Sequence, residues 1–98
     1  MDETRTSEHI YSHADAVQRG DFDAVIADFT EELQAQAPQI AQTLPQPVTA
    51  AKVVNVDFGD DEAVALIRYA GNTSEITIRS LWREVDGRPL IVDAQPVE

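Results

Sequence analysis

Residues 48–97 read VTAAKVVNVDFGDDEAVALIRYAGNTSEITIRSLWREVDGRPLIVDAQPV, and this half of the chain decides the fold. Runs rich in β-branched and aromatic residues cover Val48–Phe58, Glu62–Ala70, Glu75–Val85 and Pro89–Val97. Between them stand Gly59-Asp60-Asp61, Gly71-Asn72-Thr73-Ser74 and Asp86-Gly87-Arg88. Each of these carries Gly with Asp or Asn, the residues that accept the positive φ of a tight turn. Strands joined by such short turns must run antiparallel, so the pattern predicts a four-stranded meander. One face of it needs cover, and the first half of the chain has to supply helices. The fold class expected is therefore α+β.

Tight turns also fix register. Pairing Gly59 with Glu62, Ala70 with Glu75 and Val85 with Arg88 aligns four rows of side chains on one face. The rows are Phe58/Ala63/Trp82/Ile91, Val56/Ala65/Ser80/Asp93, Val54/Ile67/Ile78/Gln95 and Lys52/Tyr69/Ile76/Val97. This face holds most of the large apolar residues and is assigned to the helices. The opposite face carries an apolar centre, Val64, Leu66, Leu81 and Val92, ringed by charge that includes Arg68, Arg79 and Arg83. Glu62 stands opposite Arg83 there. A fully solvated face needs no such centre, so a second copy packing on Val64, Leu66, Arg79, Leu81 and Val92 is expected. The competing explanation is that the third helical turn or the tail covers it.

Upstream, Ile10, Ala14 and Val17 form the stripe of a first helix over Thr4–Arg19, which Gly20 ends. Asp21 caps a second helix, and Phe22, Val25, Ile26, Phe29 and Leu33 carry its 3.6-residue period to Gln36. Leu33, Ala35 and Ala37 also alternate as a short strand would, but the helical period is unbroken from Phe22. Pro38 disfavours α geometry at Ala37 and is expected to stop the helix. One short helical turn follows at Pro38–Ala41, and Gln42–Pro47 is the linker into the sheet.

At 98 residues, with 43% apolar composition and no cysteine, the chain is one domain, 1–98, with no disulfide or thiolate chemistry. No run approaches the roughly 18 apolar residues of a membrane span. A soluble, cytoplasmic protein is expected. The formal net charge is −11. Residues 1–49 hold nine acids and two bases (−7), and residues 50–98 nine acids and five bases (−4). A phosphate backbone would be repelled, so nucleic acid is not an expected partner. There is no Gly-rich phosphate loop and no nucleophile elbow, and no cofactor is expected.

The chain resembles the nuclear transport factor 2-like superfamily, also called SnoaL-like or ketosteroid-isomerase-like. The resemblance rests on the amphipathic first helix ending at Gly20-Asp21-Phe22-Asp23-Ala24-Val25, on the long meander, and on the closing hairpin WREVDGRPLIV, Trp82–Val92. It implies a curved sheet wrapping helices around an internal pocket, and pairing of subunits through the outer sheet face. The chain is shorter than the family pattern between Glu31 and Pro47. That departure implies a smaller pocket and removes the segment bearing the isomerases' general base, so no catalytic residue carries over.

Candidate pocket residues follow from the inner rows. Asp93 is expected among Val56, Ala65 and Ser80, with Tyr69 and Trp82 flanking the space. A carboxylate in an apolar hollow could act as acid or base. Two other readings stand beside it: Asp93 anchors the sheet by bonding Ser80, or the last strand slips by one residue and exposes it. His9 and His13 share one helical face at i, i+4, a spacing that can hold a metal. No third ligand accompanies them, so a surface or boundary position is expected, with His13 near enough the stripe to reach a pocket. Lys52 on the inner face would snorkel to water. The function expected is a non-enzymatic homodimeric module binding an apolar small molecule or a protein partner through Asp93, Ser80, Tyr69, Trp82 and His13. The alternative is an enzyme of the same fold using Asp93 as acid/base.

Overall fold

A computed structural model describes residues 2–97. Its elements are α1 (Glu3–Arg19), α2 (Phe22–Ala27), α3 (Glu31–Gln34), α4 (Ala37–Gln42), β1 (Ala50–Phe58), β2 (Glu62–Ala70), β3 (Glu75–Val85) and β4 (Arg88–Val97). The helices precede a four-stranded antiparallel sheet of order β1-β2-β3-β4. The fold is α+β, as the turn pattern predicts.

Local chemistry sets the ends of α1. The Asp2 side chain accepts from the Arg5 N–H at 3.1 Å, and Gly20 takes a left-handed φ of 73°. The N–H groups of Gly20 and Asp21 then satisfy the Val17 and Ala16 carbonyls. Ile10, Ala14 and Val17 are buried on the sheet together with Ala63, Ala65, Ile67, Tyr69, Ile78, Trp82 and Ile91.

The second helix is not continuous to Gln36. It breaks after Ala27, because β4 is an edge strand and Ile91 needs partners. Ile91 N–H donates to Asp28 O at 2.7 Å, and Thr30 N–H donates to Ile91 O at 3.0 Å. Segment 28–30 thereby covers the edge as one parallel bridge between Phe29 and Ile91. Thr30 recaps the chain, accepting from Leu33 N–H, and α3 resumes the apolar phase with Leu33 buried. Pro38 does not terminate a helix; it stands in the first turn of α4, where its missing N–H costs nothing.

All three turn registers match expectation. Gly59 N–H donates to Glu62 O at 2.8 Å, and the pairs Ala70↔Glu75 and Val85↔Arg88 are present. The row Phe58/Ala63/Trp82/Ile91 is intact. Two β-bulges then shift the outer strands. In β1 the register slips between Val53 and Asn55, so Val53 faces Ile67, Ala51 faces Tyr69, and Val54 and Lys52 turn out. In β4 it slips at Val92, so Asp93 pairs with Leu81 and Ala94 with Ser80. The inner rows are therefore Val56/Ala65/Ser80/Ala94, Val53/Ile67/Ile78/Pro96 and Ala51/Tyr69/Ile76. The expected inner positions of Asp93, Lys52, Val54, Gln95 and Val97 are corrected. In both strands straight alternation would have carried a charged side chain inward, and the extra residue of the bulge removes it.

Candidate functional site

Three of the expected pocket residues meet inside. His13 (α1), Tyr69 (β2) and Ser80 (β3) line a small cavity of about 30 Å³, otherwise walled by apolar side chains including Val25, Phe29, Ile40 and Leu44. Ser80 is already engaged: its Oγ accepts from Trp82 Nε1 at 3.0 Å and donates to Ala65 O at 3.4 Å. Trp82 is fully buried and stands edge-on to the His13 ring, with centroids 5.6 Å apart. Tyr69 is buried as well, and burial pushes its phenol far above the ordinary range, so it stays neutral. Asp93 does not join them. Its carboxylate is on the outer face, where it accepts from Gln95 Nε2 at 3.2 Å.

Sequence reasoning missed Asp28 and Arg88. In an unbroken helix Asp28 falls off the apolar stripe. The break after Ala27 turns it inward, where it is 7% exposed. His13 Nδ1 donates to Asp28 Oδ2 at 3.0 Å, and Arg88 Nη2 donates to Asp28 Oδ1 at 3.1 Å. The carboxylate orients the imidazole and fixes its tautomer. The nearest signals were single charges, Arg88 after the Gly87 turn and Asp28 beside Phe29, neither of which specifies the other. His9 is only half-buried, and no group of three metal-ligating side chains occurs among the described residues.

A larger site opens on the helical side. Phe22, Val25, Ile26 and Phe29 form one wall of a groove of about 380 Å³, and Ala37, Pro38, Ile40, Ala41 and Leu44 the other, with Gln34 at the edge. Phe22 is 49% exposed there. The fold explains why the groove exists. α4 buries none of its residues. The linker that follows it is seated on the β2–β3 turn, where Pro45 sits so close to Gly71 that a Cβ there would come within 2.6 Å of Pro45 Cβ. Val25, Phe29, Ile40 and Leu44 belong to both the groove and the inner cavity and form the wall between them.

The uncovered sheet face keeps Val64, Leu66, Leu81 and Val92 half-buried, with Arg79 exposed. Glu62 and Arg83 meet at 3.7 Å, both exposed, a pair worth a few tenths of a kcal/mol at most.

No family model matches this chain, and no curated protein does. Among solved structures it is similar to a nuclear transport factor 2-like protein of unknown function from Shewanella baltica OS155. That match has TM-score 0.71 and 14% identity over 98% of this chain and 94% of that one. It is also similar to a SEC-C motif containing protein from Rhodopseudomonas palustris, with TM-score 0.64 and 16% identity over 92% of this chain and 77% of that one. The chain has the nuclear transport factor 2-like fold. No helix among the described residues is long and apolar enough to cross a membrane.

Proposed function

We propose that this chain is a non-enzymatic binding module that takes an apolar group of its ligand into the groove between α2 and α4, and that two copies pair through the uncovered sheet face. The observation that carries the first part is the groove itself: about 380 Å³, within the range of binding sites, with almost wholly apolar walls and a half-exposed Phe22. Isolated exposed apolar residues need no explanation, but a contiguous concave set does. The non-enzymatic part rests on scale. The cavity reached by His13, Tyr69 and Ser80 is about 30 Å³, room for a water or two and not for an organic substrate. The alternative enzyme built on Asp93 would need that carboxylate beside those groups, and the bulge at Val92 argues against it.

Nile red, a neutral apolar dye, tests the groove. Wild type should bind it saturably, and Phe22→Ser with Ile26→Ser should weaken binding by about a hundredfold, since each anchor is worth roughly 1.5 kcal/mol of burial. Both positions are partly exposed, so the variant should keep its melting temperature within a few degrees. Equal dye binding by the two proteins would overturn the proposal.

A further inference from the structure

The groove is built entirely from residues 20–51, a stretch that holds Asp21, Asp23, Asp28, Glu31 and Glu32 and no Lys, Arg or His. Asp28 is consumed by His13 and Arg88 in the interior. Asp21 caps α2 and faces Arg19 at 3.6 Å, and Arg19 also bonds Asp15. Asp23, Glu31 and Glu32 are exposed and have no ion pair among the described residues. They stand in the first turns of α2 and α3, which accounts for their tolerance by the fold without neutralising them toward solvent.

The acids flank the groove's α2 residues along the chain, without lining the groove itself. Asp23 adjoins Phe22 at one end of α2, and Glu31 and Glu32 follow Phe29 beyond the other. Six residues of helix span about 9 Å, so the two charged ends are separated by more than one small cation can bridge. An anionic ligand would meet uncompensated negative charge at both ends. On the groove reading above, we infer that the partner is a cationic amphipathic helix of another protein, its apolar stripe seated between Phe22, Ile26 and Leu44 and its Lys or Arg flanks meeting Asp23, Glu31 and Glu32. Apolar anchors at i and i+3 or i+4 lie about 5–6 Å apart, so about two successive anchors fit the groove's length.

Two short synthetic amphipathic helices with the same leucine stripe, one with lysine and one with glutamate at the polar positions, are the probes. Fluorescence anisotropy should show the lysine peptide binding and the glutamate peptide not. Asp23→Asn with Glu31→Gln and Glu32→Gln should weaken the lysine peptide about tenfold while leaving Nile red binding unchanged. Phe22→Ser with Ile26→Ser should weaken both probes. The inference is overturned if the lysine peptide binds the charge-neutralised or groove variant as well as wild type, which would mark general attraction to an acidic chain. It is also overturned if neither peptide binds or if both bind alike. Nile red binding retained alongside such a result leaves the groove and removes only the helical partner; loss of both removes the groove reading too.

Discussion

Asp28 ties α1 and β4 to the end of α2 through its carboxylate and its backbone carbonyl. Its backbone carbonyl accepts from Ile91 N–H on β4, one carboxylate oxygen accepts from His13 Nδ1 on α1, and the other accepts from Arg88 Nη2 at the start of β4. Removing it leaves an imidazole donor buried between Trp82 and Phe29 with no acceptor. That desolvation cost falls in full, whereas the half-exposed Arg88 can turn to water. Asp28→Ala should therefore destabilise by about 2–4 kcal/mol, and Arg88→Ala by less, because the carboxylate keeps its His13 partner and water can replace the half-exposed guanidinium. Urea denaturation of the two variants decides it, and a larger loss for Arg88→Ala would remove the clamp reading.

At the scale of elements, the bulge in β4 sets which side chains face the helices. The bulge makes Ala94 an inner residue and Asp93 an outer one, so Asp93→Ala should change stability by within about 0.5 kcal/mol, while Ala94→Asp should cost about 2–4 kcal/mol. The opposite order, measured by thermal unfolding, would restore a straight strand and Asp93 to the interior. The turns and the two central strands were legible in the sequence because Gly-Asp and Asp-Gly signals fix register locally and period-2 alternation extends it. The bulges were not legible as such, since one extra residue inverts every later assignment. Their trace is present nonetheless: Val53-Val54 and Ile91-Val92 double the apolar residue just where alternation would next bury Lys52 or Asp93. The break after Ala27 was hidden for another reason. Phe22, Val25, Phe29 and Leu33 keep helical spacing across it, and only the needs of a distant strand, at Ile91, interrupt the helix. The buried half of the site shares this property: His13, Tyr69 and Ser80 follow from the stripe and the pleat, but Asp28 and Arg88 join them only through that tertiary break.

Across the whole molecule, the net charge of −11 conceals a polarised sheet. Lys52 stands directly opposite Arg68 on the uncovered face, like charges that cost stability unless something neutralises them. Neither has an ion pair among the described residues, and Arg79 one row on has none either. Asp57 and Asp93 flank Val64 and Leu81 one row beyond Leu66 and Arg79, and Glu62, paired with Arg83, stands in the last row of the same face. A two-fold axis running across the strands would lay the basic end of one copy over the acidic end of the other and stack the apolar centres, the self-complementarity that an isologous interface requires. Size-exclusion chromatography with light scattering should then report twice the 10.8 kDa chain mass for wild type. Leu66→Arg or Leu81→Glu should report the monomer mass, with thermal stability measured alongside to confirm a folded chain. High salt should weaken the pair, because part of the attraction is between exposed charges about a Debye length or less apart. A wild type that elutes as a monomer, or a Leu66→Arg variant that keeps the wild-type mass, would sink the pairing and leave Val64, Leu66 and Leu81 as an ordinary half-buried sheet face.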